Sequence, residues 1–219
     1  MKRLLIGLCT AATVALTAAP AGAAPNIYHT ISSTHGSAAV VETVGCEQTS
    51  IFVSSMVGMF AAQPGPVNKQ GLTSVLVRVT DICSGVPGRG VVLFEAEGRN
   101  LAPLDAQPRL TSASITTELA GFDGDGNPVT ISLAASWIGT GPLEHSTVSS
   151  HENVPGLGNV NSTDNNLARA ATATVSVTVN GFTAAGTDSS AVLQQVKARC
   201  IEIARPGVEE FFPCFGFPG

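Results

Sequence analysis

The chain has 219 residues, 44% of them hydrophobic and only 12% charged, with 16 acidic against 11 basic side chains and a formal charge of −5. That acidity, with no run of Lys or Arg, speaks against nucleic acid and against anionic membrane surfaces, because both recruit basic clusters. No stretch is long and apolar enough for a transmembrane helix, so no membrane span is expected.

The first element is a leader. Lys2 and Arg3 precede an apolar segment from Leu4 to Leu16, and Ala21-Gly22-Ala23 follows as an A-x-A cleavage site. Residues 1–23 thus have the layout of a secretory signal peptide, which predicts a secreted, extracellular protein and removes Cys9 with the leader. Setting Lys2 and Arg3 aside leaves nine basic against 16 acidic residues, a formal −7. Residues 24–219 are an ordinary length for one all-β domain, long enough to bury a sizeable core. The polar stretch after the leader, with His29 and His35, is expected to be mobile.

Beyond it the recurrent pattern is alternation with a period of two, the signature of a half-buried strand. Val75, Val77 and Val79 share one face; Ala113, Ile115, Thr117 and Leu119 share another. Val129, Ile131, Leu133, Ala135 and Trp137 form the cleanest series, and Ala171, Ala173, Val175, Val177 and Val179 nearly match it. Val and Thr dominate, and β-branched side chains suit a pleated surface. About nine strands are predicted, near 37–44, 50–60, 72–82, 90–98, 110–120, 128–138, 143–151, 168–180 and 190–204. Gln63-Pro64-Gly65-Pro66, the glycine-rich segment 85–90, Asp123 to Pro128 and Asn180-Gly181 supply the turns between them. The last strand also fits helical spacing at Val192, Val196, Cys200 and Ile203, but its Cys-Ile-Glu-Ile end favours strand. Asn153 to Leu167, rich in Gly, Asn and Ser, reads as a long mobile loop. The fold class is all-β, an antiparallel β-sandwich, with a closed β-barrel as the alternative.

Four cysteines follow the leader: Cys46, Cys83, Cys200 and Cys214. An even count in an exported chain predicts two disulfides. Cys46–Cys83 and Cys200–Cys214 are preferred because each closes a shorter loop; the other two pairings stay open. No cysteine lies in a C-x-x-C pair, which argues against zinc. Phe211, Phe212, Phe215 and Phe217 crowd around Cys214, and the reading preferred is a tail strapped across an open end of the sandwich by its disulfide. The competing reading is an exposed apolar patch for a partner.

Chemistry-bearing motifs are sparse. Asp123, Asp125 and Asn127 have the D-x-D-x-N spacing of a calcium loop, where hard oxygens recur on alternate residues. Pro128 stands where such a loop needs Gly, and Ala134 where it needs Glu, so a solvated hairpin turn is the reading preferred. Calcium is the one cofactor the sequence hints at; otherwise no cofactor and no metal site are expected. His145 and His151 share a strand face with Glu144 and Glu152 beside them, but six residues of strand span about 20 Å, too far to chelate one ion. G-x-S-x-G and H-E-x-x-H are both absent. Glu95, Glu97, Glu118, Asp81 and Asp105 are ordinary surface acids from which no glycosidase pair can be picked. Trp137, in register with Ile131 and Leu133, is expected in the core rather than as an exposed sugar platform.

Trp137-Ile138-Gly139-Thr140-Gly141-Pro142-Leu143, followed by a polar loop and then Arg169-x-Ala171-x-Ala173 running into a Thr/Val strand, resembles a group of uncharacterised small exported β-domain proteins from high-GC Gram-positive bacteria. The resemblance covers roughly residues 110–204 and implies an exported β domain; it carries no activity. The function expected is therefore a secreted, non-enzymatic binding or structural module of the extracellular space or cell wall, with a cell-wall or protein partner. A secreted hydrolase with carboxylates assembled from separate strands is the alternative. A protease-inhibitor-like protein would use the Gly85–Gly90 loop beside Cys83.

Overall fold

A computed structural model describes residues 27–63, 67–86 and 89–205. The chain folds as strands β1 (Ile27–Val44), β2 (Glu47–Gln63), β3 (Val67–Val86) and β4 (Arg89–Asn100), a two-residue β5 (Asp105–Ala106) and a 3-10 turn at Pro108–Leu110. Strands β6 (Ser112–Asp123), β7 (Pro128–Gly139), β8 (Glu144–Val154), β9 (Gly158–Val179) and β10 (Phe182–Ala204) complete it. Among the described residues no helix is long and apolar enough to cross a membrane.

Every strand pairing is antiparallel, in the order β10-β1-β2-β3-β4-β6-β7-β9-β8, and β10 also pairs with β9. Eight strands therefore form a hydrogen-bonded ring. The closure is uneven. β1 and β2 pair along almost their whole lengths, whereas β4 and β6 meet only from Ala96↔Asp123 to Arg99↔Ala120. The architecture is the expected antiparallel sandwich, with its two edges joined.

Alternation builds the core. Ile131, Leu133, Ala135 and Trp137 of β7 and Ala173, Val175 and Val177 of β9 are buried, while the residues between them face outward. Trp137 is fully buried, and its indole Nε1–H donates to the Ser37 carbonyl at 3.1 Å, so the one polar atom of the largest core side chain is satisfied. Ser55 and Thr73, also fully buried, share a 2.8 Å hydroxyl hydrogen bond, and Thr73 donates to the Ala102 carbonyl. Asn180 and Gly181 both take positive φ, at 49° and 80°, as the expected tight hairpin turn between β9 and β10 requires.

Two sequence expectations change and a third is extended. The N-terminal polar stretch from Ile27 is the first half of β1, paired on one side with β10 and on the other with β2. The segment 153–167 is no loop: a short turn at 155–157 leads directly into β9, whose residues 158–167 pair with β8 on one side and β10 on the other. Residues 190–204 are strand, as favoured, within a β10 that begins eight residues earlier, at Phe182. The cause is common to the first two: neighbouring strands supply the backbone partners, so strand forms without an apolar face.

Cys46 in the β1–β2 turn is bridged to Cys83 near the end of β3, the pairing preferred from loop length. Cys200 is also disulfide-bonded. Its expected partner Cys214 and the phenylalanine-rich tail lie outside the described residues, as do residues 87 and 88 of the Gly85–Gly90 loop and the expected leader, residues 1–23.

Candidate functional site

The register of five strands sets one line across the sheet: Ala38↔Val53, Val53↔Val75, Val75↔Gly98 and Gly98↔Gly121. Ala38, Val53 and Val75 point into the core. Residues one step to either side must point outward, because side chains alternate across a strand. On one side stand Ala39, Phe52, Leu76, Glu97 and Phe122, each opposite the next. On the other stand Ser37, Ser54, Ser74, Arg99 and Ala120. Between these two rows lies a groove of about 720 Å³, closed at its β10 end by Asp188, Ser190 and Ala191.

Spacing fixes its shape. Five strands about 4.8 Å apart make a groove about 20 Å long, and rows two residues apart make it about 7 Å across. Its volume lies within the range of small-molecule sites. The floor is backbone, and at the β4–β6 seam it is glycine on both strands. A Cβ on Gly121 would stand 1.9 Å from the Glu97 carbonyl oxygen, so β4 and β6 approach here only because Gly121 has none.

The two rims differ in chemistry. One is apolar and aromatic, with Phe52 46% and Phe122 57% exposed on either side of Leu76 and Glu97. The other carries three hydroxyls and the Arg99 guanidinium. His35, one outward position further along β1, continues it: its Nε2 lies 2.8 Å from the Ser54 Oγ. Burial lowers the His35 pKa, which keeps the imidazole neutral at pH 7. A serine beside a neutral histidine invites a nucleophilic reading. Catalysis needs in addition a group orienting the imidazole and donors for an oxyanion. No carboxylate is bonded to His35 among the described residues, and Ser54 sits mid-ladder, where sheet pairing occupies the backbone.

Asp188 anchors the closed end. The β9–β10 register shifts between Asp188 and Ala191. Asp188 Oδ2 accepts the Ala39 N–H at 2.8 Å, and Oδ1 accepts the Ser190 N–H and hydroxyl at 2.8 and 2.7 Å. Burial alone would raise its pKa; the hydrogen bonds together outweigh that and hold it below the usual carboxylate range.

The residues singled out by sequence fall elsewhere. Asp123 Oδ1 accepts the N–H groups of Asp125 and Asn127, and the Asn127 amide reaches both carboxylate oxygens, so Asp123 braces its own β6–β7 hairpin. That amide, first, and then the backbone donors lower its pKa. Asp125 and Asn127 are exposed in the same turn. His145 and His151 lie far apart on β8 as expected. His145 faces the Thr147 hydroxyl, and His151 Nδ1 is hydrogen-bonded to Asn161 Oδ1. Glu95 pairs with Arg78, Asp81 caps Cys83 and Ser84, and Glu118 and Asp105 are exposed. Cys46, Asp81 and Cys83 cluster within 4.8 Å, but both sulfurs are spent in the disulfide and are no thiolate ligands. Of these acids only Glu97 reaches the groove. Comparison with protein-family models, with curated proteins and with solved structures gives no match for this chain.

Proposed function

We propose that the protein is a secreted, non-enzymatic binding module whose outer groove takes an extended, polyhydroxylated chain such as a cell-wall glycan. The observation that carries this is the pairing of two exposed phenylalanine rings on one rim with a row of hydroxyls and a guanidinium on the other. Sugar rings offer apolar faces to aromatics and hydroxyls to polar groups, and a groove about 20 Å long accommodates several linked units. The leader at residues 1–23 and the Cys46–Cys83 bridge support an extracellular setting. The Arg99 charge on one rim is balanced by Glu97 on the other, which fits a neutral ligand better than a polyanion.

Co-sedimentation of the mature protein with insoluble cell-wall material and polysaccharides, in calcium and in chelator, tests the proposal. Binding is expected, and to the same extent in both, because the Asp123 carboxylate is occupied by its own loop. Binding lost in chelator would move the site to the Asp123–Asn127 turn. No binding in either would refute the glycan reading.

A further inference from the structure

The outer edge of β8 is the second feature of the surface without an assigned purpose. β8 pairs with β9 without interruption from Glu144↔Ala168 to Val154↔Gly158, and it ends the strand order, so its other edge has no strand partner among the described residues. From Glu144 to Asn153 every residue is exposed. Free edges are commonly blunted by lysine, proline or a bulge. β8 has none of these along its eleven residues.

Its sequence is also nearly a palindrome. Glu144-His145-Ser146-Thr147-Val148-Ser149-Ser150-His151-Glu152 reads almost the same in both directions about Val148. A twofold axis normal to the sheet at Val148 would pair the strand with itself in antiparallel fashion and keep side chains on matching faces, the isologous contact of a symmetric dimer. We propose that the protein forms a homodimer by edge-to-edge pairing of β8 with β8 of a second copy, centred on Val148. This inference is independent of the groove.

The cross-strand pairs it creates follow from the palindrome. Val148 lies opposite Val148 of the second copy, Thr147 opposite Ser149, Ser146 opposite Ser150, and His145 opposite His151. Polar pairs of this kind already form on the inner side of β8: Ser150 with Ser162 at 2.7 Å and Ser149 with Thr163 at 3.4 Å, both between hydroxyls, and the Thr147 hydroxyl donating to the Asn165 amide oxygen at 2.9 Å. Such pairs favour strand association. The unfavourable pair, Glu144 opposite Glu152, falls at the two solvated ends, where repulsion is weakest. Backbone hydrogen bonds supply the attraction and the palindrome supplies the register.

Val148 allows a direct test, because it is 60% exposed and on the axis. The mature protein is expected to run as twice the mass of one chain in analytical ultracentrifugation. Val148→Lys and Val148→Asp each place like charges opposite one another and are expected to give monomers with unchanged far-UV circular dichroism. An equimolar mixture of the two variants places Lys opposite Asp and is expected to recover the doubled mass. A wild-type monomer at the highest soluble concentration, a dimer indifferent to Val148→Lys, or a mixture that stays monomeric would each overturn the proposal.

Discussion

Asp188 shows how one side chain repairs the backbone. The register shift in β10 removes regular ladder partners, and the carboxylate accepts the Ala39 and Ser190 N–H groups in their place. Its folded pKa lies below the unfolded value, so its contribution is complete above the ordinary aspartate pKa of about 4 and is lost as pH falls through the folded value. Asp188→Asn is expected to cost about 1–3 kcal/mol near neutral pH, since an amide cannot accept at both positions. Urea unfolding of the two proteins checks this: the difference should be flat from pH 5 to 7 and shrink below about pH 4. Gly121 is held by space rather than charge. Gly121→Ala would drive a methyl into the Glu97 carbonyl and should destabilise by about 1–3 kcal/mol, more than Gly126→Ala loses through packing, where nothing lies within 4 Å. Thermal melts of the Gly121→Ala protein would show it, and an unchanged midpoint would mean the seam is loose.

At the scale of elements, the legible strands are those with one dry face. β7 was readable almost to its ends, because Val129 to Trp137 alternates without a break and its inner face is buried. The first half of β9 was not, because Asn161 to Asn166 is partly exposed on both faces and polar throughout. With no apolar face the period-two pattern vanishes, and only pairing with β8 and β10 reveals the strand. The N-terminal half of β1 escaped for the same reason. Loop length gave the Cys46–Cys83 bridge. It joins residues 37 apart, and removing it by Cys46→Ser with Cys83→Ser should lower unfolding stability by about 2–4 kcal/mol in the chain-entropy picture. Urea titration of the reduced-loop variant would report this directly.

At the scale of the molecule, the candidate groove belongs to no segment. Its rims draw on β1, β2, β3, β4 and β6, and only the inter-strand register brings Phe52, Leu76, Glu97 and Phe122 into one row. Phe52 lies among apolar neighbours, Ile51 and Val53, so its type alone does not mark it as outward-facing. Phe122 stood beside a turn, where a lone aromatic carries no message. The single tryptophan lies in the core, as its register with Ile131 and Leu133 implies, and the exposed aromatic rings are two phenylalanines. Uneven closure of the ring gives the molecule two separate surfaces: the groove across the β4–β6 seam, and the open edge of β8.

If the aromatic rim binds an extended glycan, removing its two rings must weaken that binding. The test compares residues 24–219 of the wild type with the same chain carrying Phe52→Ala and Phe122→Ala in cell-wall co-sedimentation, with melting temperatures measured in parallel. Both rings are about half exposed and lie outside the core, so the fold should be retained. At about 0.5–1.5 kcal/mol for each stacked ring, loss of both is expected to weaken binding by roughly 5- to 150-fold. Equal binding by the two proteins, with equal melting temperatures, would contradict it.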